Sequence, residues 1–328
     1  MIHLRQSSLF VGILIVILLV ATIIGTSTAL SVKKQVAKEK ADPLTEIIPE
    51  NAEWEKVVAS SENRFMEGIN FDQEDKIWLV SHMTNELLTV DGEEVKFVET
   101  IDGAVGAKFH KDGRLFITSI TGNLYAYDPK TETTSVILDS YNDQPFNGLN
   151  DLVFDDEGGL YFTDPMGSDA LNPSGKVYYL PPGEEEAILF ADNIAYPNGI
   201  AISADGNRVY ISEFDKNRVI SVPSITAETS PETSFLFAQF EGGIGPDGLA
   251  VDTEGNLYVA HFQAGQIVVV DQNGFKYGAI KLPEDAGTFV TNLAFHDGYL
   301  YITESSKNEI WRIKVNKEGL ELYGSKSN

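Results

Sequence analysis

The chain has 328 residues, no cysteine, and 24 basic against 49 acidic residues, a formal charge of −25. The absence of cysteine excludes disulfides, thiolate metal sites and cysteine nucleophiles, and leaves the redox compartment open. A surface this acidic does not seek nucleic acid or anionic lipid, and most of the charge reads as a solvated outer face.

In chain order, the first feature is apolar. No charged residue occurs from Gln6 to Val32, and Leu9 to Ile24 is almost wholly hydrophobic, long enough to cross a bilayer as one helix. Residues 1–32 are therefore expected to form an N-terminal transmembrane helix that ties the protein to the membrane. A cleaved signal is the rival, because Ser27-Thr28-Ala29 resembles a small-residue cleavage site. Lys33, Lys34, Lys38 and Lys40 follow the stretch and only Arg5 precedes it, a bias that alone would hold the remainder in the cytoplasm. A very short charged head is instead typical of an export signal, so an extracytoplasmic domain is the expectation. Residues 33–50 read as a charged linker.

From residue 51 to 328 the pattern repeats. Six segments share an apolar strand, an Asp/Gly-type turn, and a second strand with an aromatic residue at its second position. The first strands end at Phe71, Phe109, Phe154, Ile202, Val251 and Phe295, and the aromatics are Trp78, Phe116, Tyr161, Tyr210, Tyr258 and Tyr301. Turns such as Asp112-Gly113 and Asp205-Gly206 supply the positive φ that a tight reversal needs. A third apolar run follows each pair, and a fourth lies around Val98, Ile137, Leu189, Leu236 and Ile280. Four short strands every ~40–50 residues predict an all-β, six-bladed β-propeller. The sixth repeat offers only Leu320–Tyr323 as a fourth strand, whereas Trp54–Ala59 stands ahead of the first repeat. That N-terminal strand is expected to complete the last blade and close the ring, removing exposed edges.

Counting back four residues from the end of each first strand gives Glu67, Val105, Asn150, Asn198, Asp247 and Thr291. First strands line a propeller's channel, so these side chains form one ring. Glu67, Asn150, Asn198 and Asp247 offer carboxylate and amide oxygens, a hard donor set suited to Ca2+, Mg2+ or Mn2+. Turn capping explains Asp72, Asp155 and Asp252, which recur beside the turns. It does not explain Glu67, because glutamate is not a turn former. The histidines are weaker leads: His110 and His296 sit at strand ends, and His82 and His261 follow second strands. No Gly-x-Ser-x-Gly, phosphate loop or dinucleotide fingerprint is present.

The segments MEGINFD (66–72), NDLVFDDEGGLYFTDP (150–165), PNGIAISADGNRVYIS (197–212) and GPDGLAVDTEGNLYVA (245–260) resemble the senescence marker protein/gluconolactonase/luciferin-regenerating enzyme family across the whole propeller. The Glu, Asn, Asn, Asp set also resembles the calcium site of diisopropylfluorophosphatase and, more distantly, the paraoxonases. The resemblance implies that Glu67, Asn150, Asn198 and Asp247 hold a catalytic divalent cation, calcium first, with Mg2+, Mn2+ or Zn2+ as alternatives. Asp151 falls where related lactonases carry a functional acid. Two departures stand out. Gly148 occupies the place of a sugar-gripping arginine, and Val105 the place of the paraoxonase histidine. Residues 162–183 also resemble the membrane-associated, drug-responsive bacterial lactonases. The expectation is a calcium-dependent hydrolase of a small lactone or ester, with Asp151 as general base and Asp247 as nucleophile if the reaction is covalent. The alternatives are a membrane-displayed binding scaffold with a structural cation, and an organophosphate hydrolase.

Overall fold

The computed structural model describes residues 44–226 and 233–325. The expected transmembrane helix lies outside the described residues. Among those that are described, no helix is long and apolar enough to cross a membrane. Residues 33–43 of the expected linker also lie outside the described residues, and its remainder begins with a helical turn, Leu44–Ile47. Ile47 is fully buried, and its carbonyl accepts a hydrogen bond from Asn316 N at 2.8 Å.

Six four-stranded antiparallel sheets follow one another in chain order. Blade one runs from Met66–Phe71 outward to Glu94–Thr100. The inner strands of blades two to five are Ala104–Phe109, Leu152–Phe154, Pro197–Ile202 and Gly245–Val251. Blade six combines Val290–His296, Tyr299–Glu304 and Glu309–Lys314 with Trp54–Ala59 as its outer strand. The N-terminal strand therefore closes the ring, with Trp54 opposite Ile313 and Ala59 opposite Glu309. Leu320–Tyr323 is not a strand, because the edge it would have joined is already paired. This segment instead crosses under the channel. Leu320 N donates to Val251 O at 2.8 Å, and Gly319 bridges Asp252.

The period-two pattern buries apolar layers between blades. One such core joins Met66 and Ile69 of blade one to Ala294, Tyr301 and Ile310 of blade six. The turn acids behave as capping residues. Asp72 Oδ1 accepts from Glu74 N and Lys76 N at 2.9 Å each. Asp155 and Asp252 hold their own turns in the same way. A small hairpin, Ser140–Tyr141 with Gln144–Pro145, is inserted between blades two and three.

Candidate active site

Five of the six inner strands carry a ladder irregularity just where the ring residue stands, and the blade-three ladder, Leu152–Phe154, begins beyond Asn150. The register shifts fall between Glu67 and Asn70, Pro197 and Ile200, Pro246 and Leu249, and at equivalent points of blades two and six. A bulge of this kind bends the strand and re-aims a side chain, here toward the channel. Beyond it the register recovers identically. Asn70, Lys108, Val153, Ala201, Ala250 and Ala294 each pair with the aromatic residue of the second strand.

Glycine next to the ring residue lets neighbouring blades approach closely. A Cβ at Gly199 would lie 2.0 Å from Asp247 O, and one at Gly106 would lie 2.4 Å from Asn150 O. Hydroxyls on second strands then fix the ring backbone across blades. Thr163 Oγ1 donates to Asn198 O at 2.9 Å, Ser212 Oγ to Asp247 O at 2.8 Å, and Thr118 Oγ1 to Asn150 O. Their sequence signal is a hydroxyl two residues after the second-strand aromatic, at Thr118, Thr163 and Ser212, which is easily read as ordinary strand composition.

The fold brings Glu67, Asn198, Asp247 and Asp151 into mutual electrostatic and hydrogen-bonding range. Glu67 and Asp247 are each 7% exposed. Burial, followed by the charges of Asp247 and Asp151, pushes the Glu67 carboxyl well above its usual range, and a Thr291 hydrogen bond offsets part of this. Asp247 is likewise raised well above the usual range, by burial and then by Asp151, with Asn198 opposing. Neither carboxylate forms an ion pair among the described residues. Asn150 sits in the same ring on blade three, half-buried, next to Asp151. Among the described residues no three carboxylate or histidine groups close round one point, so the asparagine oxygens have to complete any donor set. Two unpaired buried carboxylates with carboxamide oxygens fit a hard divalent cation.

Asp151 is buried, and both its oxygens are engaged: Oδ1 accepts from Leu152 N at 2.9 Å and Oδ2 from Ile200 N at 3.2 Å. Burial raises its carboxyl, and the Lys108 ammonium and these amides oppose the rise. His261 and His296 belong to packing. His261 is fully buried between Asn217 Oδ1 at 3.0 Å and Gln266 Nε2 at 3.1 Å, and His296 stacks on Phe71 at 3.9 Å.

Sequence reasoning missed the wall above the ring. Two residues before each ring position stand Phe65, Gly103, Gly148, Tyr196, Gly245 and Phe289. Phe65 and Tyr196 both adopt φ of +53°, a conformation bulky side chains rarely tolerate and one that collects at functional sites. Asn308 Oδ1 accepts from Phe65 N at 2.8 Å, and Ser168 Oγ from Tyr196 N at 3.2 Å. The rings form a chain from Tyr196 through Phe214 and Phe262 to Phe289 and Phe65. Burial and then Asp247, with Asp215 and Glu67 adding, push the Tyr196 phenol up to about 12, so it stays protonated beside the carboxylates. At Gly148 a Cβ would meet Met166 Cγ at 2.4 Å and Ile120 O at 2.5 Å, and this crowding excludes a longer side chain.

A family model described as SMP-30/Gluconolactonase/LRE-like region matches residues 65–306. The lactonase drp35 of Staphylococcus epidermidis is 32% identical over 241 residues, covering 70% of this chain and 73% of the relative. A gluconolactonase from Xanthomonas campestris superposes with a TM-score of 0.71 at 20% identity, over 83% of this chain and 92% of that one. A calcium-binding protein, regucalcin, from Agrobacterium tumefaciens gives 0.68 at 21% identity, over 82% and 97%. At these identities the two structures establish a common fold.

Proposed function

Since the chain belongs to the SMP-30/gluconolactonase/LRE-like family, we propose that it hydrolyses cyclic esters at the ring of Glu67, Asn150, Asn198 and Asp247. The observation that carries the reading is the pairing of two buried, unneutralised carboxylates, Glu67 and Asp247, at one end of the channel. The drp35 relatives, which are lactonases, point the same way. These four residues would hold a divalent cation, calcium first, which when bound supplies Lewis-acid polarisation of an ester carbonyl.

The remaining groups act on the substrate directly. The protonated Tyr196 phenol is a hydrogen-bond donor at the mouth, suited to an oxygen on which charge develops. The Phe65, Phe262 and Phe289 rings exclude water and favour an apolar lactone body. A polyol lactone finds no arginine, because the position is Gly148 and Met166 fills its space. Asp151 is the base candidate, although a proton acceptor here has to share its oxygens with two backbone amides. We assign the uncharged stretch 6–32 the role of membrane anchor, to be tested by carbonate extraction of the membrane fraction.

The deciding experiment is a panel of aryl, alkyl and sugar lactones on the full chain, with and without chelator, alongside Asp247→Asn. Expected is hydrolysis of apolar lactones that chelation removes and calcium restores, and its loss in the variant with the fold intact. A chain that hydrolyses no lactone, or an Asp247→Asn variant of undiminished activity, overturns the reading.

A further inference from the structure

Below the metal ring the channel holds a second constellation of unlike chemistry. Three residues on from the ring positions, the inner strands present Asn70, Lys108, Val153, Ala201, Ala250 and Ala294, in matched register. One long cationic side chain thus faces a wall in which three blades carry only a methyl group. Lys108 is 8% exposed, and its ammonium makes no hydrogen bond or ion pair among the described residues. Burial pushes its ammonium below the usual lysine range, and the Asp151 charge only partly opposes this. A largely buried ammonium partly stabilised by the Asp151 charge but held by no direct partner is open to an added anion. The neutral wall supplies no partner.

Lys108 lines a cavity of about 330 Å³ together with Val153, Ala201, Ala250, Leu320 and Tyr323, a volume within the range of small-molecule sites. The last two belong to the C-terminal segment that crosses under the channel, so that segment forms the floor. It is held by the Leu320 N to Val251 O bond, by Thr253 N to Glu318 O at 2.9 Å, and by the Lys317–Glu254 ion pair at 2.6 Å. The cavity lining also carries Asp155, Asp156, Glu157, Asp205 and Glu321, and so many acids oppose a multiply charged anion more strongly than a singly charged one. A lysine is a single point charge rather than a two-toothed fork, and it matches one negative charge.

We propose that this lower end of the channel is a second ligand site, separate from the metal ring, for a small monocarboxylate with a short apolar body. Its carboxylate lies on the Lys108 ammonium, and its body lies along the alanine wall and the Leu320–Tyr323 floor. The assignment does not depend on the lactonase reading.

The test is calorimetric titration of the full chain with sodium hexanoate, with 1-hexanol and adipate as the uncharged and doubly charged comparisons. Hexanoate should bind saturably, and at least ten-fold more tightly than either comparison compound, a gap of about 1.4 kcal/mol. Lys108→Gln should weaken it at least ten-fold. Ala250→Leu, which fills the cavity from the opposite blade, should do the same, so the proposal stays testable should the lysine variant fail to fold. Asp247→Asn should leave hexanoate binding unchanged. Absence of saturable binding, equal binding by Ala250→Leu, or loss of binding in Asp247→Asn, which would move the ligand to the upper ring, overturns the assignment.

Discussion

Glu67 shows how much a single side chain can disclose. Glutamate is a poor turn former, so its place at the head of an inner strand marked the ring, whereas the capping acids Asp72, Asp155 and Asp252 carried no such signal. Its environment also fixes a pH dependence. Glu67 and Asp247 are raised in the folded protein by burial first and by neighbouring carboxylates second, above unfolded values near 4. The cation-free folded state therefore binds more protons than the unfolded one, and this contribution falls as pH rises from about 4 through the raised folded values. Cation binding needs the deprotonated groups and reverses the trend. The thermal unfolding midpoint of chelated protein should rise on adding calcium, and by more at pH 8 than at pH 5. At a hundred-fold excess over Kd the gain is about 2.7 kcal/mol. An equal calcium effect at both pH values would remove Glu67 and Asp247 from the site. Tyr196 was harder to see, because an aromatic residue before a strand reads as core. Only alignment with Phe65 and Phe289, and the shared φ of +53° with Phe65, picks it out. Tyr196→Phe keeps the ring and should lower lactone turnover about a hundred-fold with an unchanged unfolding midpoint. Unaltered turnover would leave the phenol without a part in the reaction.

At the scale of the element, the inner strand and its partner work as a pair. The bulge releases the ring residue from the ladder, and a hydroxyl on the preceding blade's second strand holds its carbonyl. This brace was not legible, because Thr118, Thr163 and Ser212 alternate with apolar residues as any half-buried strand would. The blades without it, with Val80 and Ala260 at that position, blur the pattern further. Thr163 Oγ1 both donates to Asn198 O and accepts from Asp151 N at 2.9 Å, so it joins two candidate site residues. Thr163→Val is isosteric and leaves both groups buried and unsatisfied. It should cost about 1–3 kcal/mol of stability and weaken calcium binding in calorimetry, while Thr131→Val at an exposed turn should change neither. Gly199→Ala is a harsher probe of the same contact, since its methyl would lie 2.0 Å from Asp247 O. A normal calcium affinity in both site variants would mean that the ring does not depend on these braces.

Over the whole molecule, the repeat spacing and the stray strand Trp54–Ala59 were enough to foresee six blades and their closure. The strand was visible because it stood ahead of a repeat that began without it. The end of the chain was misleading for the complementary reason: Leu320–Tyr323 has strand-like composition but arrives at a sheet whose edge is already taken. Closure joins both ends of the chain by more than the ladder. Trp54 Nε1 donates to Lys281 O at 2.8 Å, Lys56 pairs with Glu309 at 2.6 Å, and Arg312 pairs with Glu55 at 2.6 Å. Val58 enters the apolar layer between blades six and one with Ile310 and Met66. Removing this strand would leave the backbone groups of Glu309–Lys314 unpaired along a full edge and uncover that layer, the combination that invites edge-to-edge association. A chain lacking residues 1–45 retains Ile47, the closing strand and every blade, and is expected to be folded and monomeric by light scattering and circular dichroism. A chain lacking residues 1–60 should aggregate or unfold. If the shorter protein proves folded and monomeric, the ring must hold without its closing strand, and the stability of blade six has to come from its three remaining strands and their packing against blades one and five.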